Sequence, residues 1–133
     1  MYDVAVIGLG CAGYTAAIYL ARYKLETLIV GETEGGMGIT AAEVGNWPGN
    51  IDIKGPDLME NFKKHATSFE NVTQKTLRVE KVEKSGKGFK LTYQNGESDE
   101  AKTIVFATGS DKRHLGVPGE DEFSGKGVTY CAT

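Results

Sequence analysis

The hydrophobic positions of the chain begin with a short continuous run from Val4 to Ile7 that contains β-branched residues. Such a run predicts a strand buried on both faces, as in a parallel sheet. Glycines follow at positions 8, 10 and 13, and residues 14–23, rich in alanine and free of glycine and proline, favour a helix. A second apolar run extends from Thr27 to Val30. Strand, glycine loop, helix and strand within about thirty residues predict a βαβ unit.

A second helix is predicted after residues 35–38, where three glycines break the pattern. It begins near Pro56, because proline suits the first position of a helix, where its missing N–H is not needed. Apolar residues then recur at helical spacing as far as residue 69 and indicate one buried face: Leu58, Met59, Phe62, Ala66 and Phe69.

The pattern changes to alternation in residues 77–82 and 89–93, and Asn95-Gly96 is a strong hairpin signal. These features predict a small antiparallel β-meander with one solvated face. A buried strand of the parallel type then extends from Thr103 to Ala107, and residues 116–133 have the pattern of a loop. The predicted class is therefore α/β, a Rossmann-like fold with a parallel sheet plus a small antiparallel β-meander.

The composition of the chain mainly excludes classes of partner and of site. The chain has 133 residues, 40% hydrophobic and 25% charged, which suits one ordinary globular domain. Its net charge is −3 and its basic residues are scattered, so we expect no nucleic-acid partner and no membrane. The chain reads directly into a strand rather than a signal peptide, and we expect a cytoplasmic location. Two isolated histidines, His65 and His114, do not predict a metal site.

The candidate chemistry lies in the glycine loop between the first strand and the first helix. Gly8 suits a tight exit from the strand, Gly10 a close approach of backbone to a pyrophosphate, and Gly13 close packing of helix on strand. The helix N-terminus that follows would present free N–H groups to the anion. Dinucleotide binding is thus the functional interpretation, and a purely structural glycine turn is the alternative.

An acidic residue that binds a ribose hydroxyl is expected about 20 residues after such a loop. Glu32 lies 19 residues after Gly13 and is the first candidate, with a solvated loop charge as the equal alternative. Glu34 is the weaker candidate. The order of elements favours FAD over NAD, because NAD domains usually continue with alternating helices and strands rather than a meander.

Several stretches resemble one known family over essentially the whole chain. They are GLGCAGYTAA (8–17), GGM (35–37), EVGNWPG (43–49), IVFATG (104–109), GVPGE (116–120) and GKGVTYCAT (125–133). Together they resemble the thioredoxin reductase family of pyridine nucleotide-disulfide oxidoreductases. In that family the last stretch continues into a second cysteine, which completes a Cys-Ala-Thr-Cys redox centre. The resemblance makes residues 1–133 the N-terminal part of a discontinuous FAD-binding domain, without the NADPH domain and the C-terminal FAD segment.

The resemblance implies non-covalent FAD and electron transfer from NADPH, or NADH, through FAD to a Cys-x-x-Cys disulfide. It implies thioredoxin or a similar small redox protein as partner, and a homodimer for the complete protein. Cys131 would be the first redox cysteine. The resemblance implies that the pyrophosphate would be held by Gly8, Gly10, Cys11, Ala12 and Gly13. The ADP portion and the route to the flavin would be bordered by Gly31, Glu32, Gly36 and Met37, and the isoalloxazine side would be faced by Asn46. The adenine would be met by Val79, and the strand end beside the cofactor would comprise Ala107, Thr108 and Gly109.

The sequence departs from the family pattern at two positions, where Cys11 replaces the usual proline and Met37 the usual glutamine. Cys11 is expected to be a small, neutral packing residue, and Met37 leaves open a relative with a different electron donor. Cys131 without its partner leaves two further alternatives: a nucleotide-binding module or one chain of a split enzyme, and a ferredoxin-linked relative.

Overall fold

The computed structural model describes residues 1–130, which form six strands, two α-helices and one 3₁₀ helix. Along the chain these are β1 (Tyr2–Ile7), α1 (Cys11–Arg22), β2 (Thr27–Gly31), the 3₁₀ helix (Gly36–Thr40), α2 (Gly55–Thr67), β3 (Val72–Thr76), β4 (Val79–Ser85), β5 (Gly88–Tyr93) and β6 (Ser98–Phe106). The strands make a single sheet in the order β3-β2-β1-β6-β5-β4. Neither α-helix in this part of the chain is long and apolar enough to cross a membrane.

The sheet has a parallel half and an antiparallel half. Strand β1 lies between β2 and β6 and runs parallel to both, while β3 runs parallel to β2 on the outside. Strand β5 is antiparallel to both β4 and β6. The expected α/β class, with a parallel sheet plus an antiparallel β-meander, is therefore confirmed.

Strand β6 belongs to both halves of the sheet. Its first residues pair with β5 across the Asn95-Gly96 turn, and from Ala101 to Phe106 it pairs with β1. Gly96 has φ +85°, the left-handed conformation that a tight hairpin requires. The hairpin strand and the buried parallel strand expected at 103–107 are thus one nine-residue strand.

The sequence pattern missed β3 and displaced the start of β4. The meander was expected to begin at Leu77, but β4 begins at Val79, and residues 72–76 form a separate parallel strand. Asn71 helps to dock this strand, since its carbonyl accepts the N–H of Thr27 at 2.9 Å. The Asn71 side-chain amide also donates to the carbonyls of Ala21 and Leu25.

The two faces of the parallel strands pack against different layers. On one face Val4, Val6 and Ile29 contact α1 and α2 in a single apolar cluster. On the other face alternate residues of β1 and β2 pack against the meander, with Leu91 and Tyr93 fully buried. Burial on both faces explains the continuous apolar runs in β1 and β2, with the helices on one face and the meander half of the same sheet on the other.

A polar contact connects the meander to β3 at the far side of the sheet. The ammonium of Lys75 lies 2.5 Å from a carboxylate oxygen of Asp99, and the Tyr93 hydroxyl donates to the same oxygen at 2.6 Å. Burial and the neighbouring carboxylate raise the pKa of Tyr93. Burial alone would raise the pKa of Asp99, but the hydrogen bonds from Lys75 and Tyr93 outweigh it and lower that pKa.

Residues 107–130 form turns and loops, and the buried carboxylate of Glu120 holds residues 114–116 among them. Glu120 accepts the backbone N–H groups of Leu115 and Gly116 at 2.9 and 2.6 Å. His114 Nδ1 lies 3.3 Å from the same side chain. Burial by itself would raise the pKa of Glu120, but the backbone donors and His114 lower it below its usual value. These contacts of Glu120 fix part of the backbone that follows the end of β6 at Phe106.

Candidate functional site

A cleft of about 760 Å³ opens where the parallel strands β1, β2 and β6 end. This volume is within the range of small-molecule and cofactor sites. The strand order changes direction at β1, which has β2 on one side and β6 on the other, and such a switch point is where open α/β sheets bind their ligands. The cleft is lined by three short segments: residues 8–12, residues 31–40 without Glu34, and residues 106–111.

Two glycines of the loop are required by the packing of the backbone. Gly8 has φ +127°, and a Cβ placed on it would lie 2.0 Å from the carbonyl oxygen of Ala107. A Cβ on Gly13 would lie 1.8 Å from the carbonyl oxygen of Gly8. Helix α1 therefore starts as close to β1 as two backbones allow, which is the arrangement expected from the motif.

Gly10 serves a different purpose, because a Cβ placed on it would meet no atom within 4 Å. It is the N-cap of α1, and among the described residues no side chain caps this helix and no acidic residue occupies its first turn. The first N–H groups of a helix have no partner within the helix and carry a partial positive charge. The loop thus offers open space and free donors to an anionic group, as a dinucleotide pyrophosphate requires.

The segment after β2 forms the second wall of the cleft. The N–H of Gly35 donates to the carbonyl of Leu9 at 2.7 Å, so this wall is attached directly to the glycine loop. A Cβ on Gly36 would lie 3.2 Å from Cα of Gly10. Met37 lines the cleft with an exposed side chain. Where the three glycines predicted a break between elements, the segment continues as the short 3₁₀ helix.

The two candidate acids have different surroundings. Glu32 lies on the cleft with its side chain exposed, and one of its oxygens is 3.3 Å from Nη1 of Arg78. Glu34 has both oxygens occupied, by Lys63 at 2.6 Å and by Gln74 and Thr76 at 2.9 and 2.8 Å. These bonds, that from Lys63 first, lower the pKa of Glu34. Of the two, Glu32 has a carboxylate oxygen available for a ribose hydroxyl.

The third wall follows β6. The N–H of Ala107 donates to the carbonyl of Ile7 at 2.8 Å, which continues the parallel pairing beyond the end of the strand. Thr108 and Gly109 come next, and Gly109 has φ +67°. Ser110 and Asp111 also line the cleft, as does Thr33 on the opposite wall. None of these three was predicted from the sequence, although each lies within two residues of a predicted contact.

The structure brings most of the expected site residues together at the cleft and places the others elsewhere. The residues at the cleft are Gly8, Gly10, Cys11, Ala12, Gly31, Glu32, Gly36, Met37, Ala107, Thr108 and Gly109. Gly13 is buried beneath the loop. Cys11 is an exposed thiol on the cleft, so the expectation of a packing residue is corrected. Its side chain points away from the core because the first turn of α1 faces the open space beside Gly10.

Three further expectations concern positions away from the cleft. Asn46 is exposed on the loop before α2, beside Trp47, whose ring lies 5.1 Å from that of Phe62. Val79 starts β4 and packs in the meander-side core, while the preceding Arg78 reaches Glu32 at the edge of the cleft. Cys131 lies outside the described residues.

Comparison with known proteins gives a consistent result. Residues 2–133 match the profile of the family described as pyridine nucleotide-disulphide oxidoreductase. A thioredoxin reductase from Escherichia coli O157:H7 is 44% identical over 131 residues, which cover 96% of this chain and 40% of that protein. The crystal structure of Lactococcus lactis thioredoxin reductase in its FR conformation superposes with a TM-score of 0.86 and 36% identity, covering 99% of this chain and 43% of that one.

A relative with a different name shares the same region. A glucosaminate ammonia-lyase from Pseudomonas fluorescens is 40% identical over 133 residues, which cover 98% of this chain and 41% of that protein. The chain thus spans about 40% of the length of the curated relatives it matches.

Proposed function

The chain belongs to the pyridine nucleotide-disulphide oxidoreductase family, and on that premise we propose that it is the FAD-binding part of a thioredoxin-reductase-type flavoprotein. The observation that carries the proposal is the cleft at the ends of β1, β2 and β6, where Gly10 leaves open space before an uncapped helix N-terminus. The family uses FAD with NADPH as electron donor. Residues 1–133 would be the N-terminal part of a discontinuous FAD-binding domain.

Each segment of the cleft has a proposed role toward FAD. The N–H groups at Gly10, Cys11 and Ala12 would bind the pyrophosphate, supported by the positive end of the α1 dipole. Glu32 would accept the ribose hydroxyls, and the adenine would lie toward Arg78 and Val79. This orientation is supported by the contact between Arg78 and Glu32 at the edge of the cleft.

The flavin end would lie toward the other two walls. Gly36 and Met37 would border its approach on one side, with Asn46 beyond them, and Ala107 to Gly109 would pass it on the other side. Gly36 and Gly109 line the cleft, adopt positive φ angles and, as glycines, present no side chain to it. Bound FAD would supply the capacity to accept and pass on a pair of electrons, while these residues hold it in place.

For the complete protein we propose electron transfer from NADPH through FAD to a Cys-x-x-Cys disulfide that includes Cys131, and then to thioredoxin. The thioredoxin reductases that share this region support the proposal. A homodimer and a cytoplasmic location are part of the same proposal and rest on the family resemblance.

The test uses the complete polypeptide with FAD, NADPH and oxidised thioredoxin. We expect NADPH to bleach the flavin absorbance and thioredoxin thiols to appear at the expense of NADPH. The variant Cys131→Ser should still show flavin reduction by NADPH but no release of thioredoxin thiols. Bleaching without thiol release in the wild-type protein would refute the disulfide reductase activity.

The second candidate is a nucleotide-binding module that acts with a partner chain. It is favoured by the cleft itself, since all its lining residues lie between Gly8 and Asp111. On this proposal the 133-residue chain binds FAD or ADP alone and catalyses nothing. Titration of the chain with ADP tests whether it binds a nucleotide at all. Saturable binding supports a nucleotide site, and a purely structural glycine turn would show no saturable binding.

A further inference from the structure

Glu34 connects three elements at the back of one wall of the cleft. It follows β2 by three positions, and its Oε2 accepts a hydrogen bond from Nζ of Lys63 on α2 at 2.6 Å. Its Oε1 accepts from the side chains of Gln74 and Thr76 on β3 at 2.9 and 2.8 Å. We call these four residues the Glu34 clamp. The sequence pattern predicts no structural role for Glu34, which it offers only as the weaker candidate for a ribose contact.

The clamp is directly continuous with the glycines that face the phosphate loop. Gly35 has φ +81° and Gly36 has φ +52°, and the N–H of Gly35 donates to the carbonyl of Leu9 at 2.7 Å. The backbone of Gly36 lies close enough to Gly10 that a Cβ would be 3.2 Å from its Cα. The clamped carboxylate is therefore one residue away from the backbone that contacts the loop.

Gly35 and Gly36 cannot by themselves hold their backbone in one conformation. Two consecutive glycines have more accessible backbone conformations than any other pair, so an unanchored segment would lose more entropy on binding a ligand. Attachment of the preceding side chain to α2 and β3 removes part of that freedom in advance. Such preorganisation raises affinity because less ordering remains for the binding step.

The negative charge of Glu34 is a second reason why its pairing favours ligand binding. A carboxylate next to a site for an anionic pyrophosphate would repel it if it were unpaired. The ammonium of Lys63 offsets the negative charge of Glu34, and the pairing raises the pKa of Lys63 and lowers that of Glu34. The pair thus fixes the wall without a net unfavourable charge beside the loop.

From this geometry we propose that Glu34 is a positioning residue for the dinucleotide site, which holds the Gly35–Gly36 wall against Gly10 through Lys63, Gln74 and Thr76. The inference rests on the proposed FAD function and deepens it. On this proposal Glu34 would not touch the ligand, because the cleft is lined by its neighbours Thr33 and Gly35 but not by Glu34.

The test compares Glu34→Ala with Glu83→Ala in the 133-residue chain. Glu83 is a matched control, because it forms an exposed ion pair with Lys81 on β4, away from the cleft. Flavin fluorescence gives the Kd for FAD under conditions where each variant is folded by circular dichroism. We expect Glu34→Ala to weaken FAD binding about tenfold, and Glu83→Ala to leave the Kd unchanged.

A charge exchange separates positioning from general stabilisation. The double variant Glu34→Lys with Lys63→Glu restores the ion pair with opposite polarity but not the hydrogen bonds from Gln74 and Thr76, so it should recover part of the FAD affinity that Lys63→Glu alone loses. Hydrogen exchange of the Gly35 amide in the ligand-free chain gives an independent readout. That amide should exchange faster in Glu34→Ala, while the amides within β1 should keep their protection.

The outcomes distinguish this inference from the function on which it rests. Equal FAD affinity and equal Gly35 protection in wild type and Glu34→Ala would overturn the role of Glu34 and leave FAD binding intact. An absence of FAD binding by the wild-type chain would overturn the proposed function and this inference with it. Weaker FAD binding in Glu34→Ala with unchanged protection of the Gly35 amide would also overturn the clamp.

Discussion

Gly10 and Gly13 lie three positions apart in the phosphate loop, but a methyl group at each would meet different surroundings. At Gly13 it would overlap the carbonyl of Gly8 at 1.8 Å, whereas at Gly10 it would enter open space. We expect Gly13→Ala to lower the free energy of unfolding by about 3 kcal/mol or more, since backbone has no room to yield. Gly10→Ala should cost about 1 kcal/mol or less, the typical loss at an N-cap.

Urea denaturation followed by circular dichroism measures both free energies. Similar losses for the two variants would contradict the assignment of a packing role to one glycine and a ligand-facing role to the other. The backbone angles of Gly10, φ −93° and ψ −174°, are accessible to alanine, so conformational strain does not complicate the comparison.

Cys11 offers a direct report on occupancy of the cleft, because it is an exposed thiol on the cleft surface. In a Cys131→Ser background it is the only thiol of the chain. We expect iodoacetamide to alkylate it readily without ligand, and FAD to slow alkylation in proportion to the occupied fraction. Mass spectrometry of the modified peptide follows the rate. A rate that is unaffected by saturating FAD would place the cofactor elsewhere.

At the scale of elements, the contact between β3 and the meander depends on a charged carboxylate. The pKa of Asp99 is lower in the folded protein than its ordinary value of 3.8. Its stabilising contribution is therefore present above that value and is lost as the pH falls through the folded-state pKa. We expect Asp99→Asn to cost about 1–2 kcal/mol at pH 7, and the difference from wild type to shrink toward pH 3.

The control for this experiment is Glu100→Gln on the same strand. Glu100 is exposed and accepts a hydrogen bond from Ser85 at 3.2 Å. Its replacement should change stability little at either pH, as is typical of surface pairs. A difference between wild type and Asp99→Asn that stays constant from pH 7 to pH 3 would show that the charge of Asp99 does not stabilise the contact.

The elements divide into those that local pattern reveals and those that it does not. Strands β1 and β2 and helix α2 follow directly from their apolar spacing. Strand β3 contains Val72 as its one apolar residue, so periodicity gives no signal. Its polar side chains are used instead, because Gln74 and Lys75 bond to Glu34 and Asp99. Those partners are 40 and 24 positions away in sequence, beyond the reach of any local rule.

The residues of the site also divide into those that local sequence reveals and those that it does not. The glycine loop could be predicted because its motif reflects local backbone geometry. The spacing also favoured Glu32 over Glu34, but the pairing of Glu34 could not be predicted, because its partners are distant residues of α2 and β3. The exposure of Cys11 was also missed, since the family resemblance gave no residue of comparable chemistry at that position.

At the scale of the whole molecule, several large apolar side chains remain exposed after the sheet ends. Leu115 is 76% exposed, Val117 53% and Phe123 50%. Exposed apolar surface of this kind favours association. We expect the 133-residue chain to self-associate as its concentration rises, and the double variant Leu115→Lys with Val117→Lys to weaken this association.

Sedimentation velocity over a range of concentrations measures the effect. Ile51→Lys is the control, because Ile51 is 89% exposed but lies on the loop before α2. Its replacement should leave the association unchanged. A monodisperse monomer at all concentrations would contradict the prediction.

The central claim, that this chain binds FAD through the cleft at Gly10, is tested most directly by an FAD titration of wild type and Gly10→Ala followed by flavin fluorescence. The account predicts saturable binding at one site per chain, competition by ADP, and an affinity about tenfold weaker in Gly10→Ala at nearly unchanged stability. The absence of saturable binding by the wild-type chain, or equal affinity in the two proteins, would contradict it.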